Sequence, residues 1–187
     1  MKKLFPLFLF LLSFQWVNAQ QAVKLGVYNE AIGLPTYKII KLPIHPTIQV
    51  GWDFRSRGGQ HWKRTTGLEL YYFYHKRMEH AIMLDFSPRI SYQTTSGFLT
   101  GFSLGAGYKL AFLDGQKYRM ENGEYVKSRH WGKSQFNVKA GIGFEQKISD
   151  YLAITLDYKL MAVYPFGDRI VPFTLNHFTG FGIKKFL

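Results

Sequence analysis

The stretch "GFLTGFSLGAGYKLAFL", residues 97–113, carries one charge in seventeen residues. Its even-numbered positions are mostly large and apolar, whereas its odd-numbered positions are mostly small or polar. This alternation has a period of two residues, which is typical of a β-strand with two unlike faces. A helix would scatter the glycines around its circumference, and each would cost about 1 kcal/mol relative to alanine. The stretch is also more than twice as long as an ordinary strand of about 5–6 residues.

The same alternation recurs along the rest of the chain. It predicts eight strands, at residues 22–31, 46–57, 61–75, 81–93, 98–113, 134–148, 151–164 and 172–187. Tight turns at one end of these strands alternate with mostly longer connections at 32–45, 76–80, 114–133 and 165–171. This asymmetry is typical of outer-membrane barrels, whose tilted strands cross the bilayer in about 9–11 residues. The sequence therefore predicts an all-β fold, an eight-stranded antiparallel up-and-down transmembrane β-barrel.

The N-terminus has the pattern of a secretory signal peptide. Lys2 and Lys3 precede the apolar run "LFPLFLFLLSF", and Val17-Asn18-Ala19 follows as a small-residue cleavage site. We therefore expect a cleaved signal peptide at residues 1–19 and an outer-membrane barrel at residues 20–187. An uncleaved anchor helix is the alternative. The chain has no cysteine, so an exported protein of this size must be stabilised by something other than disulfides.

Composition limits the partners that the protein is expected to have. The formal net charge of +12 falls by two with the loss of Lys2 and Lys3, and the remaining basic residues are spread singly rather than clustered. This spread argues against nucleic acid as a partner. In an exported protein the expected anionic neighbours are outer-membrane lipids, including lipopolysaccharide. Aromatic residues make up 18% of the chain, and many lie near the predicted strand ends, as in an interfacial girdle.

Residues 20–187 resemble a known class, the small eight-stranded outer-membrane β-barrel proteins of Gram-negative bacteria. The resemblance is one of pattern: a signal peptide, eight amphipathic strands, turn asymmetry and aromatic-rich strand ends. It implies an integral location in the cell outer membrane. The class usually ends in an aromatic residue, whereas this chain ends in "GFGIKKFL", with Phe186 penultimate and Leu187 last. The segments "LPIHPTIQVG" and "YFYHKRMEHAI" indicate an uncharacterised branch, for which the resemblance implies no activity.

Charged residues occupy the strand face that the pattern assigns to the lumen. An eight-stranded barrel has an interior just wide enough for side chains to fill it. We therefore predict a plug of paired charges, with a proton or ion path and a lumenal site open to one end as alternatives. Lys63 and Lys184 share this parity. The predicted network consists of Asp53, Arg55, Glu69, Asp85, Arg89, Lys109, Lys139, Glu145, Asp157 and Lys159.

The third long connection, "DGQKYRMENGEYVKSRHWGK", is the largest segment outside the predicted strands. Connections of this length are usually functional or disordered. Asn122-Gly123 favours a tight turn, so the segment is predicted to form a protruding hairpin. Its Tyr, Trp and Arg residues are of the types that dominate binding hot spots. The predicted loop-side binding residues are Tyr118, Arg119, Tyr125, Arg129, His130 and Trp131, with His75 and His80 on the same rim.

These features favour a non-enzymatic barrel, a structural or accessory subunit of a larger outer-membrane complex that interacts through its extracellular loops. One alternative is an outer-rim enzyme acting on lipid A or surface peptides, for which Ser128 near His130 is the main candidate serine, although no G-x-S-x-G is present. A narrow, porin-like channel for small solutes is the other. We expect no catalytic residues, no cofactor and no metal, although His45, His75, His80 and His130 all fall in or beside the long connections.

Overall fold

The computed structural model describes residues 20–33, 44–75, 79–113, 117–121, 123–128, 132–165 and 173–187, so the predicted signal peptide lies outside the described residues. The regular secondary structure of these residues consists of β-strands. The strands are β1 (Ala22–Ile32), β2 (Pro46–Gly58), β3 (Trp62–His75), β4 (Glu79–Gln93), β5 (Phe98–Leu113), β6 (Lys117–Glu121), β7 (Glu124–Ser128), β8 (Lys133–Ser149), β9 (Leu152–Tyr164) and β10 (Thr174–Phe186). Within the described ranges, no helix is long and apolar enough to cross a membrane.

Eight of these strands form a closed barrel in the order β1-β10-β9-β8-β5-β4-β3-β2. Every neighbouring pair is antiparallel, and the pairing of β1 with β10 closes the sheet. Closure satisfies the backbone hydrogen bonds of both edge strands. The structure therefore confirms the predicted eight-stranded antiparallel barrel. No predicted barrel strand differs from the observed strand by more than two residues at either end.

The remaining two strands, β6 and β7, pair with each other and lie outside the barrel sheet. They form the hairpin predicted within the third long connection. Gly123 at its tip has φ of 83°, a left-handed conformation that glycine adopts without strain. The local turn chemistry of "ENGEY" therefore produces a second, two-stranded sheet after β5.

The two faces of the barrel wall differ as the period-two pattern predicts. In β4, Leu84 and Phe86 point outward and are about half exposed, whereas Met83 and Asp85 point inward and are buried. Small residues occur where the interior is most crowded. A Cβ atom added to Gly105 in β5 would lie 2.6 Å from Lys139 Cε and 3.0 Å from the Phe86 carbonyl oxygen. Glycine at this position leaves space for the lysine side chain that crosses the lumen.

Candidate functional site

The two ends of the barrel differ in the connections that they carry. Ala22, the first residue of β1, pairs with Phe186, the last residue of β10. The chain therefore enters and leaves the barrel at the end that carries the turns after β2, β4 and β8. We call this the short-turn end. The connections after β1, β3, β5 and β9 lie at the opposite end, which we call the loop-side end. The candidate site consists of the lumen and the rim of the loop-side end.

The first lumenal charges, counted from the short-turn end, form a cluster around Lys184. Its Nζ lies 2.8 Å from Asp53 Oδ2 and 3.1 Å from Glu145 Oε2. The next carboxylate, Asp157, contacts Lys24 Nζ and lies 3.3 Å from Arg89 Nη2. These six side chains come from six different strands, so they meet only because the sheet closes into a barrel.

The middle of the lumen is crossed by two lysines. Lys139 donates to Glu69 and, at 2.8 Å, to Asp85 Oδ2. Lys159 donates to Glu69 Oε1 at 3.1 Å. All four side chains are almost completely buried. Asn137 Nδ2 donates to the second oxygen of Asp85 at 2.9 Å, so this carboxylate has a partner for each oxygen.

Nearer the loop-side end, Lys109 donates to Glu79, and its Nζ lies 4.9 Å from the centre of the Phe73 ring. Apolar side chains pack around these charges; they include Tyr28, Tyr71, Phe73, Met83, Met161 and Phe178. Buried charges are tolerated when they are paired and hydrogen-bonded. The described lumen is therefore filled by layers of ion pairs and rings.

The structure brings nine of the ten predicted lumenal residues into ion pairs, and Arg55 is the exception. The β2–β3 register shifts between Asp53 and Arg55. Arg55 follows this shift near the short-turn end and is half-buried. In the part of the chain that the structure describes, no carboxylate lies within ion-pair distance of Arg55. An extra residue in one strand turns the side chains that follow it to the opposite face of the sheet, and a regular alternation in the sequence does not predict this.

Sequence reasoning missed three charged residues that the structure places in the lumen. Lys24 lies between the outward-facing Val23 and Leu25, so its parity was a usable signal. Glu79 falls inside the predicted connection 76–80, where the sequence predicts no strand, although it is the first residue of β4. Glu30 lies near the end of the weakest predicted strand, but it faces inward and is completely buried.

Of the predicted loop-side binding residues, His75 and His80 lie on opposite faces of the barrel wall. His80 points outward, with its ring centre 6.2 Å from that of Tyr74 and 6.1 Å from that of Phe112. His75 points inward and stacks on His45, with 3.6 Å between ring centres. Tyr118 and Arg119 lie in β6, Tyr125 lies in β7 with 73% of its surface exposed, and Arg129, His130 and Trp131 lie outside the described residues.

At the loop-side rim, Glu30, His45 and His75 form one row across β1, the start of β2 and the end of β3. Asn29 pairs with Pro46, so one further step of the β1–β2 register places Glu30 opposite His45. Thr47 pairs with Phe73, so two further steps of the β2–β3 register place His45 opposite His75. The Glu30 N–H donates to the His45 carbonyl oxygen at 3.0 Å. One candidate ligand atom from each side chain lies within 4.8 Å of the other two. These three residues could hold a metal ion.

The fold is shared with known outer-membrane barrels. Neisserial surface protein A superposes with a TM-score of 0.52 at 8% identity, over 89% of this chain and 95% of that chain. The outer membrane enzyme PagL superposes with a TM-score of 0.49 at 15% identity, over 87% and 97% of the two chains. Ail of Yersinia pestis superposes with a TM-score of 0.45 at 13% identity, over 90% and 99%.

The chain has the fold of the small eight-stranded outer-membrane β-barrels. No protein-family model matches the sequence, and no curated protein does. The similarity to solved structures therefore concerns the fold alone, and the role of this barrel has to be argued from its own side chains.

Proposed function

We propose that the protein is an integral, non-enzymatic barrel of the outer membrane, and that it serves as a structural or accessory subunit of a larger outer-membrane complex through its loop-side end. The observation that supports this most directly is the combination of an apolar outer wall with a lumen filled by paired charges. The apolar outer wall needs a lipid environment, and the filled lumen leaves no room for a solute.

The outer wall supports the location in a membrane. Its large residues are exposed all around the barrel; examples from different strands are Leu25, Val50, Leu84, Leu104, Val138, Leu156 and Ile183. A continuous apolar surface of this extent is not found on soluble monomers. The barrel strands contain 11 to 17 residues, enough to cross a bilayer when tilted. Lipids, including lipopolysaccharide, are therefore the first partners that we assign, and the signal peptide at 1–19 is the expected route of export.

The lumen argues against a channel. Lys139 and Lys159 cross the middle of the barrel, and both bind Glu69. Tyr71 fills the space beside them, because its hydroxyl donates to Glu69 Oε2 at 2.7 Å and its ring lies 4.7 Å from Lys139 Nζ. Displacing Lys139 would leave the buried Asp85 without its cation, which costs about 3–5 kcal/mol. The network therefore acts as a permanent plug that stabilises the barrel.

The β6–β7 hairpin is the surface that we assign to a protein partner or a surface glycan. Met120, Tyr125 and Val126 are 62%, 73% and 44% exposed. Exposed aromatic and apolar side chains on a protruding hairpin are suited to a binding surface. The adjoining Arg129, His130 and Trp131 belong to the same proposal by their place in the sequence.

The test of this proposal is replacement of residues 117–130 by a Gly/Ser linker. We expect the variant to remain a folded barrel, to run differently on a denaturing gel before and after boiling, and to lose the proteins that co-purify with the wild type in mild detergent. A finer comparison is Tyr125→Ala against Tyr151→Ala, because Tyr151 is 64% exposed at the short-turn end. Full retention of every co-purifying protein by the linker variant would show that the hairpin is not the functional surface.

A further inference from the structure

We propose that Glu30, His45 and His75 form a binding site for a divalent transition-metal ion such as Zn²⁺ at the loop-side rim. Two histidines and one carboxylate are a common protein ligand set for zinc sites that keep a fourth position open. The same set, with further open positions, binds other first-row metals. The proposal does not depend on the function proposed above, because metal binding is a property of the isolated barrel.

The distances suit a single ion. With Zn–N bonds of about 2.0–2.1 Å, two ligand atoms of a tetrahedral site are about 3.3–3.4 Å apart. The ring centres of His45 and His75 are 3.6 Å apart, and because their planes are inclined by 27°, the rings must rotate before a nitrogen of each can point at one ion. The three ligand atoms lie within 4.8 Å of one another, so an ion at their centre would be about 2.8 Å or less from each. Side-chain movements of about 1 Å, together with this ring rotation, bring the three ligand atoms to bonding distance.

The charge of Glu30 supports a cation at this position. In the described barrel, each other buried carboxylate has a lysine or arginine within ion-pair distance. Glu30, which is completely buried, has only His45, whose Nδ1 lies 3.8 Å from Oε2. Asn176 Nδ2 donates to Oε1 at 2.8 Å, and no described group donates a hydrogen bond to Oε2. A bound dication would supply the charge that this buried oxygen otherwise lacks.

The surroundings hold two of the ligands in place. The His45 backbone N–H donates to Asn29 Oδ1 at 2.8 Å, and His45 Nδ1 lies 3.2 Å from the Glu30 carbonyl oxygen. Asn176 fixes the Glu30 carboxylate from the other side. Hydrogen bonds of this kind orient metal ligands before the ion arrives.

An ion can reach the row of Glu30, His45 and His75 from the loop-side end of the barrel. Glu30 is completely buried, whereas His45 and His75 are partly exposed at the mouth of the loop-side end. Glu79 lies opposite His75 in the β3–β4 register, and its partner Lys109 comes from nearer the short-turn end, where it pairs with Met83 in the β4–β5 register. An ion would therefore approach from the loop side and meet the histidines first, and the positive charge of Lys109 would stop it from moving further into the lumen.

The experiment uses the full-length folded barrel in detergent, stripped of metal with a chelator and titrated with Zn²⁺ by calorimetry at pH 7.5. We expect one equivalent to bind with a dissociation constant in the micromolar range or tighter, and the unfolding midpoint to rise with Zn²⁺. Co²⁺ should give the visible absorption of a four-coordinate or five-coordinate site.

Variants separate this site from incidental binding by histidine. Glu30→Gln keeps the shape of the side chain, and His45→Ala removes one ligand; each should weaken Zn²⁺ binding at least tenfold. His80→Ala is the matched control, because His80 lies on the same rim but on the outward face, and it should bind as the wild type does. The gel shift on boiling shows whether each variant is folded. The proposal is overturned if the wild type binds no Zn²⁺ or Co²⁺ at 1 mM, or if folded Glu30→Gln binds as tightly as the wild type.

Discussion

Lys139→Met tests most directly whether the ion pairs in the lumen stabilise the barrel. Lys139 is the only cation that pairs with Asp85 among the described residues, and it shares Glu69 with Lys159. In the variant, Glu69 keeps Lys159 at 3.1 Å and the Tyr71 hydroxyl at 2.7 Å. Asp85 keeps only the amide of Asn137. The substitution therefore leaves one buried carboxylate without a cation, for which the expected loss of unfolding free energy is about 3–5 kcal/mol.

A double-mutant cycle separates this effect from loss of packing. Asp85→Asn removes the partner charge and keeps the side-chain shape. In the combination of Lys139→Met with Asp85→Asn no unpaired charge remains, so the loss should be smaller than the sum of the two single losses by about 1–3 kcal/mol. Lys127→Met is the matched control, because Lys127 is exposed on β7 and should change the stability by less than about 0.5 kcal/mol.

The measurement is equilibrium unfolding in urea, with the barrel in lipid vesicles and the transition followed by tryptophan fluorescence and by the gel shift on boiling. Two results would refute the reasoning. One is a Lys139→Met barrel as stable as the Lys127→Met control. The other is strict additivity in the double-mutant cycle, which would mean that Lys139 and Asp85 do not interact across the lumen.

The remaining predictions concern the barrel as a whole. Unboiled and boiled protein should migrate differently on a denaturing gel, and far-UV circular dichroism should show mainly strand; coincident bands together with substantial helix would contradict the fold. The barrel should show no steady single-channel conductance in planar bilayers, and regular current steps would disprove a filled lumen. Gly105→Ala should lower the unfolding free energy by about 1–3 kcal/mol, because the new methyl group meets the Lys139 side chain. Gly59→Ala should leave the unfolding free energy unchanged, because no atom lies within 4 Å of the added Cβ. Equal stability of the two variants would show that the lumen is not crowded at Gly105.

Much of the fold was predictable from the sequence because a barrel wall is a local pattern. Inward and outward positions alternate along each strand whatever its neighbours are, so "GFLTGFSLGAGYKLAFL" predicts both faces of β5 by itself. Strand parity likewise predicts that Asp85, Lys139 and Lys159 point into the lumen. The failures of parity lie where the alternation is interrupted. Arg55 follows a register shift, and Glu79 lies in a segment that the sequence predicts as a connection between strands.

Only the tertiary structure decides which inward residues meet. Lys139 and Glu69 are 70 positions apart, and Glu30 and Asn176 are 146 apart; strand order and register bring each pair together. The same applies to the rim. The sequence places His75 and His80 at one end of the barrel, but β3 and β4 turn them to opposite faces, and the register of three strands sets His75 beside His45 and Glu30. Side-chain direction is a property of one strand, whereas a site is a property of how strands are aligned, and that alignment depends on all eight strands closing together.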